Sequence, residues 1–195
     1  MVTSAVAPHR LLTVEDWAAL PEDDPGELVD GVLEEEELPD YVHEVAVAWL
    51  VSVLRSWVVP RGGIAAGSEA KFALGPRHGR KPDVSLYFPE SRKPPRRGAV
   101  RVPPDLAVEV LSPKARDEQR DRVDKPDEYA RFGIRHYWIL DPEQRILECW
   151  RLGTGGSYER LLGASVGRVA VPGFDDLELD LDALWAETDR LERAE

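Results

Sequence analysis

Residues 105–113 read DLAVEVLSP. Leu106, Ala107, Val108, Val110 and Leu111 form an apolar run of strand length, and Glu109 is set among them. A carboxylate in such a strand is costly to keep ionised unless something shares its charge. Strand alternation sends Asp105, Ala107, Glu109 and Leu111 to one face, and Leu106, Val108 and Val110 to the other. The glutamate therefore points away from the more apolar face. It is either a structural ion-pair partner or part of a site.

The strand before it sharpens the choice. DVSLYF (83–88) begins at Asp83, directly after Pro82. If the two strands are neighbours, Asp83 and Glu109 converge near one end of a sheet. Two carboxylates that close repel each other unless positive charge lies between them. A divalent cation with oxygen ligands would supply it, and Mg²⁺ is commonly held by one or two carboxylates and several waters. Asp83 could equally be a turn residue that starts its strand.

Further out, the apolar positions Val42, Val45, Ala46, Trp49, Leu50, Val53, Leu54 and Trp57 follow helical spacing over 41–59, ended by Pro60 and Gly62-Gly63. Thr13 with Asp16 forms a capping signal for a short helix that stops near Pro21. ELVDGVLEE (27–35) reads as a hairpin around Asp30-Gly31. IAAGSEAKFAL (64–74) reads as a strand, followed by the polar GPRHGRKP. Residues 116–132 suit a helix that Pro126 kinks or restarts. HYWILD (136–141) and ILECWRL (146–152) flank a hairpin, with short strands and an acidic helical tail from Asp180 to follow. From Tyr41 the order is helix, three strands, helix, strand. That order predicts an α/β fold, a mixed sheet flanked by helices with extra N-terminal and C-terminal β-hairpins.

The chain of 195 residues, 43% of them hydrophobic, can bury one sizeable core. Cys149 is the only cysteine, so no intrachain disulfide is possible and a reducing cytoplasm is the expected setting. MVTSAVAPHRLL has no basic start followed by an apolar run, and no stretch is expected to reach the ~20 apolar residues of a membrane span. The net charge of −12 disfavours indiscriminate nucleic-acid binding. Its distribution is uneven, because the Pro-rich window 77–101 holds eight basic residues against Asp83 and Glu90. That window is either a solvated loop or a phosphate contact. His9, His43, His78 and His136 show no zinc spacing, and no nucleophile elbow or Walker loop is present. GTGGS (153–157) sits between two strands and reads as a hairpin turn.

KPDVSLYF, followed by PPDLAVEVLSPKARDEQRDRVDKPDEYARFGIRHYWILDP, resembles the Uma-two type of restriction-endonuclease-like proteins in the PD-(D/E)XK nuclease superfamily. The resemblance runs from about Leu12 to Leu152 and includes ELVDGVLEE and His43. It implies one domain over 1–195 with a nuclease core over about 41–152, and Mg²⁺- or Mn²⁺-dependent hydrolysis of DNA. Asp83 then matches the motif aspartate, Glu109 the motif acidic residue, and the Val110 carbonyl an additional ligand. The lysine normally two residues after the glutamate is replaced by Leu111. Lys125 matches the position to which other members move it, Lys114 is the alternative, and Glu27 matches a further family glutamate. On this expectation, Lys125→Ala removes cleavage and leaves folding and metal binding nearly intact. DNA would be met through the basic window 77–101. A homodimer is expected, with apolar surface from the hairpin that carries Trp138 and Trp150. The rival expectation is a non-enzymatic binding or assembly module in which catalysis has decayed. Chemistry on RNA is a third.

Overall fold

The computed structural model describes residues 10–21, 26–34, 39–112 and 119–192. Its centre is a six-stranded sheet in the order β10-β9-β8-β7-β6-β3. The strands are β3 (Ile64–Ala66), β6 (Val84–Tyr87), β7 (Leu106–Val110), β8 (His136–Asp141), β9 (Ile146–Leu152) and β10 (Tyr158–Ala164). β7 and β8 pair in parallel, and the other neighbours pair antiparallel. Parallel neighbours need a crossover. Here it runs through α3 (Lys125–Phe132) and the wide π-type turn Arg120–Asp124 that leads into it. Pro126 lies in the first turn of α3, where its missing N–H costs nothing.

Alternation along β7 divides the core as its letters predict. Leu106, Val108 and Val110 pack with Ala46, Leu50 and Leu54 of α2 (Tyr41–Val58) and with Leu184 and Trp185 of α4 (Leu181–Thr188). Ala107 and Leu111 pack on the opposite face with Tyr129, Tyr137 and Ile139. Glu109 shares that second face, beneath α3. The C-terminal hairpin is β11 (Arg168–Ala170) with β12 (Glu178–Asp180), and Asp180 then caps α4 by accepting from the Ala183 amide.

A second sheet has the order β2-β1-β5-β4. The hairpin β1 (Glu27–Val29) and β2 (Val32–Glu34) turns at Asp30 and Gly31, both at positive φ as a tight hairpin turn requires. It is joined by β4 (Phe72–Gly75) and β5 (His78–Arg80). This corrects the reading of 64–74 as one strand and of the polar stretch after it as a connector. Backbone at positive φ at Glu69 breaks the run, and the chain leaves one sheet after Ala66 to enter the other at Phe72. With that excursion set aside, α2, β3, β6, β7, α3 and β8 keep the predicted helix, three-strand, helix, strand order.

α1 (Val14–Ala18) carries the predicted Thr13/Asp16 capping box and buries Trp17 against the second sheet. The Trp17 ring lies flat on Gly79, and its Nε1 donates to the Gly26 carbonyl. A methyl group at Gly79 would fall inside the ring's van der Waals envelope. Gly79→Ala is therefore expected to cost about 3 kcal/mol, the upper end of ordinary overpacking, measurable by urea denaturation.

One further expectation changes. The helix and turn Tyr41–Arg61 span 21 residues at mean hydropathy 1.4, so one segment does meet the length and composition of a membrane span. Its apolar side is the part of α2 packed on the six-stranded sheet. In the β8–β9 hairpin every residue of β8 is buried, Trp138 completely, whereas in β9 Trp150 is half-buried and Ile146 is exposed.

Candidate active site

Val84 pairs with Val108 in the antiparallel register of β6 and β7. Continuing that register by one residue sets Asp83 opposite Glu109, where side chains stand about 5 Å apart at Cβ. The pairing is pinned chemically, because the Val110 amide donates to Asp83 Oδ2 at 2.7 Å. Asp83, Glu109 and Val110 line one recess together with Lys125, Asp121, Arg120, Lys81 and His43. The sequence-predicted Asp83, Glu109, Val110 and Lys125 are thus brought together. Lys114 lies outside the described residues.

Glu109 is 2% exposed and both of its oxygens are engaged. Lys125 Nζ lies 2.8 Å from Oε2, and the Tyr129 hydroxyl donates to Oε1 at 2.6 Å. Burial pushes the Glu109 carboxyl well above the usual carboxylate range, with Lys125 as the main counterweight and Asp121, Asp83 and Glu27 adding to the rise. In this structure the positive charge that shares the glutamate's place belongs to the chain itself.

Lys125 is equally enclosed. Its ammonium lies 2.9 Å from Asp121 Oδ1 and 3.7 Å from Glu27 Oε1, as well as against Glu109. Burial disfavours its charge, but Asp121, Glu109 and Glu27 outweigh that and hold the amine well above the ordinary lysine value. These carboxylates favour the charged form of the lysine. The expectation that alanine here would leave folding nearly intact does not survive this enclosure.

Glu27 stands behind the lysine and does not line the recess. Arg80 Nη1 donates to its Oε2 at 2.7 Å and the Lys81 amide to its Oε1 at 2.8 Å. Burial would raise its pKa, but Lys125, Arg80 and the Lys81 amide more than reverse that and hold it below the ordinary value. The same contacts revise the basic window. Arg80 is buried between Glu27 and Glu128, and Lys81 reaches Glu69 at 3.2 Å, so part of the predicted DNA-facing charge is spent inside the fold. Arg92, Arg96 and Arg97 are exposed.

His43 of α2 faces Asp83, its Nε2 3.3 Å from Oδ2. Burial works against its charge, but Asp83 and Glu44 outweigh that and raise its pKa. Asp121 and Tyr129 were not singled out in the sequence. The signal existed, since they stand four residues before and four after Lys125, the spacing that aligns side chains on one helix face.

Among the described residues no three His, Cys, Asp or Glu side chains form a ready metal cluster. The donor set does fit a hard cation of the Mg²⁺ kind, which needs only one or two carboxylates and fills its remaining positions with water.

Two carboxylates from adjacent strands and a lysine on the covering helix thus meet at one recess of an α/β protein, a mixed sheet between helical layers. A putative nuclease of the DUF820 family from Anabaena variabilis has the same fold, with a TM-score of 0.72, 23% identity, and coverage of 91% of this chain and 99% of that one. The chain belongs to the Uma2 family, described as putative restriction endonucleases, whose sequence pattern matches residues 13–182. No curated protein matches it.

Proposed function

We propose that the protein is a divalent-metal-dependent endonuclease that hydrolyses DNA phosphodiester bonds. The observation that supports this most is the convergence of Asp83, Glu109 and Lys125 on one recess. Asp83 and Glu109, with the Val110 carbonyl, would hold Mg²⁺ or Mn²⁺. When bound, such an ion polarises the phosphoryl group and eases deprotonation of an attacking water. Lys125 places a permanent positive charge beside Glu109, where it orients the water or stabilises the charge of the phosphorane. Glu27 serves the lysine from behind. The exposed arginines 92, 96 and 97 are the part of the basic window suited to a phosphate backbone. The same reading takes residues 1–195 as one domain with its nuclease core over about 41–152, in the cytoplasm. It also takes the working form as a homodimer, to be weighed in solution against the 21.9 kDa monomer.

A second reading has an observation of its own. Lys125 lies 2.8 Å from Glu109 and offers it a counter-charge from the chain itself, an arrangement that a binding module of nuclease descent could keep without a metal. One experiment separates the two. Wild-type protein should nick plasmid or cleave single-stranded DNA with Mg²⁺ or Mn²⁺, and Asp83→Ala should not. Mn²⁺ should also raise the melting temperature of the wild type by binding linkage and leave Glu109→Ala unmoved. Absence of cleavage and of the thermal shift in the wild type would install the binding-module reading.

A further inference from the structure

Asp121, Lys125 and Tyr129 form one stripe along the helical segment that covers β7. Asp121 is 3% exposed and sits in the π-type turn, a winding that recurs at functional sites. Its carboxylate and Glu109 hold the same ammonium from two sides, at 2.9 and 2.8 Å. The Tyr137 hydroxyl donates to the Asp121 main-chain carbonyl at 2.6 Å and so fixes the turn. Tyr129 packs edge-on against Tyr137, ring centroids 5.5 Å apart, and cannot swing away from Glu109.

These contacts divide the work of the two Glu109 oxygens. Oε1 is committed to a hydroxyl held rigidly in the core. Oε2 is committed to an ammonium on a flexible stem, which has a second carboxylate within reach. Oε2 can be given to an incoming cation while Oε1 keeps its core hydrogen bond, and Asp121, the nearer of the two remaining carboxylates at 2.9 Å against 3.7 Å for Glu27, can then keep the ammonium in the recess.

We propose that Tyr129 and Asp121 are positioning residues of the phosphodiester reaction: Tyr129 fixes which oxygen of Glu109 meets the cation, and Asp121 takes over Lys125 when the cation arrives. This rests on the nuclease reading above. A residue that only filled the core would act on stability alone. These two act on metal affinity.

The test measures Mn²⁺ affinity by isothermal titration calorimetry, beside plasmid cleavage, on the full chain. Tyr129→Phe keeps the ring and removes one hydroxyl, and should weaken Mn²⁺ binding about tenfold, the usual effect of losing a group that orients a ligand. Tyr158→Phe is the control. It also deletes a hydrogen-bonded tyrosine hydroxyl, half-buried and donating to the Ile134 carbonyl at 2.7 Å away from the recess, and should leave Mn²⁺ affinity unchanged. Asp121→Asn should weaken Mn²⁺ binding several-fold in the wild type, and not at all once Lys125→Gln has removed the competing ammonium. Equal effects of the two tyrosine changes, or additive effects of Asp121→Asn and Lys125→Gln, would overturn the inference while leaving the nuclease reading in place. A wild type that neither binds Mn²⁺ nor cleaves would overturn both. If Lys125→Gln does not fold, the two tyrosine variants decide the matter alone.

Discussion

Lys125→Ala is expected to abolish turnover and to destabilise the fold by about 3–5 kcal/mol, the cost of breaking a buried ion pair by removing one partner. The residue is 2% exposed, and its ammonium is the shared counter-charge of Glu109, Asp121 and Glu27. Truncation leaves carboxylates facing one another without it, in a place that water barely reaches. The partial remedy open to the protein is to protonate Glu109, whose pKa burial already raises. Urea denaturation at neutral pH measures the loss directly. A variant within about 1 kcal/mol of the wild type, the range of an exposed pair, would show that the ammonium is not the charge on which the cluster depends.

Glu27→Gln should produce a loss of similar size with a definite pH signature. Glu27 is held below its ordinary pKa of 4.5 in the fold, since Lys125, Arg80 and the Lys81 amide outweigh the effect of burial. A carboxylate with a depressed folded pKa binds its proton more readily when the chain is unfolded. Its stabilising contribution is therefore fully present above about pH 4.5 and disappears as pH falls through the folded value. Glutamine is neutral throughout. The stability gap between wild type and Glu27→Gln should be widest at neutral pH and narrow in acid, followed by denaturant titrations at pH 7 and below pH 4.5. A gap that widened in acid would mean that Glu27 is protonated in the native state.

Much of the frame was legible because it rests on local rules. α2 ends within a residue of its predicted limit because a 3.6-residue apolar pattern runs directly into Pro60. The faces of β7 follow from alternation alone, and the β8–β9 hairpin matches its predicted bounds residue for residue. What could not be read depends on distant partners. IAAGSEAKFAL looks continuous, and only the edge offered by β1, far upstream, explains why β4 and β5 join another sheet. Arg80 and Lys81 look like part of a solvated basic run because Glu27, which engages both, is more than fifty residues away in sequence. In the site, Asp83 and Glu109 stood out as charges at strand positions, and the family resemblance singled out Lys125. Asp121 and Tyr129 were readable at helical spacing, but their importance comes from what they touch across the sheet.

The second sheet ties the recess to the order in which the chain folds. The β7–α3–β8 crossover pairs residues such as Leu106 and His136 within one stretch of chain. The Glu27–Arg80 pair must close a loop of 53 residues, and such long closures are slow to be repaid. Until β1 docks beside β5, Lys125 lacks Glu27 behind it, and Arg80 and the Lys81 amide have no acceptor there. The N-terminal hairpin contributes no described residue to the lining, yet through Glu27 it completes the charge balance behind it. The charge balance of the recess is therefore shared between the two sheets, and a molecule in which β1 is undocked would lack part of it.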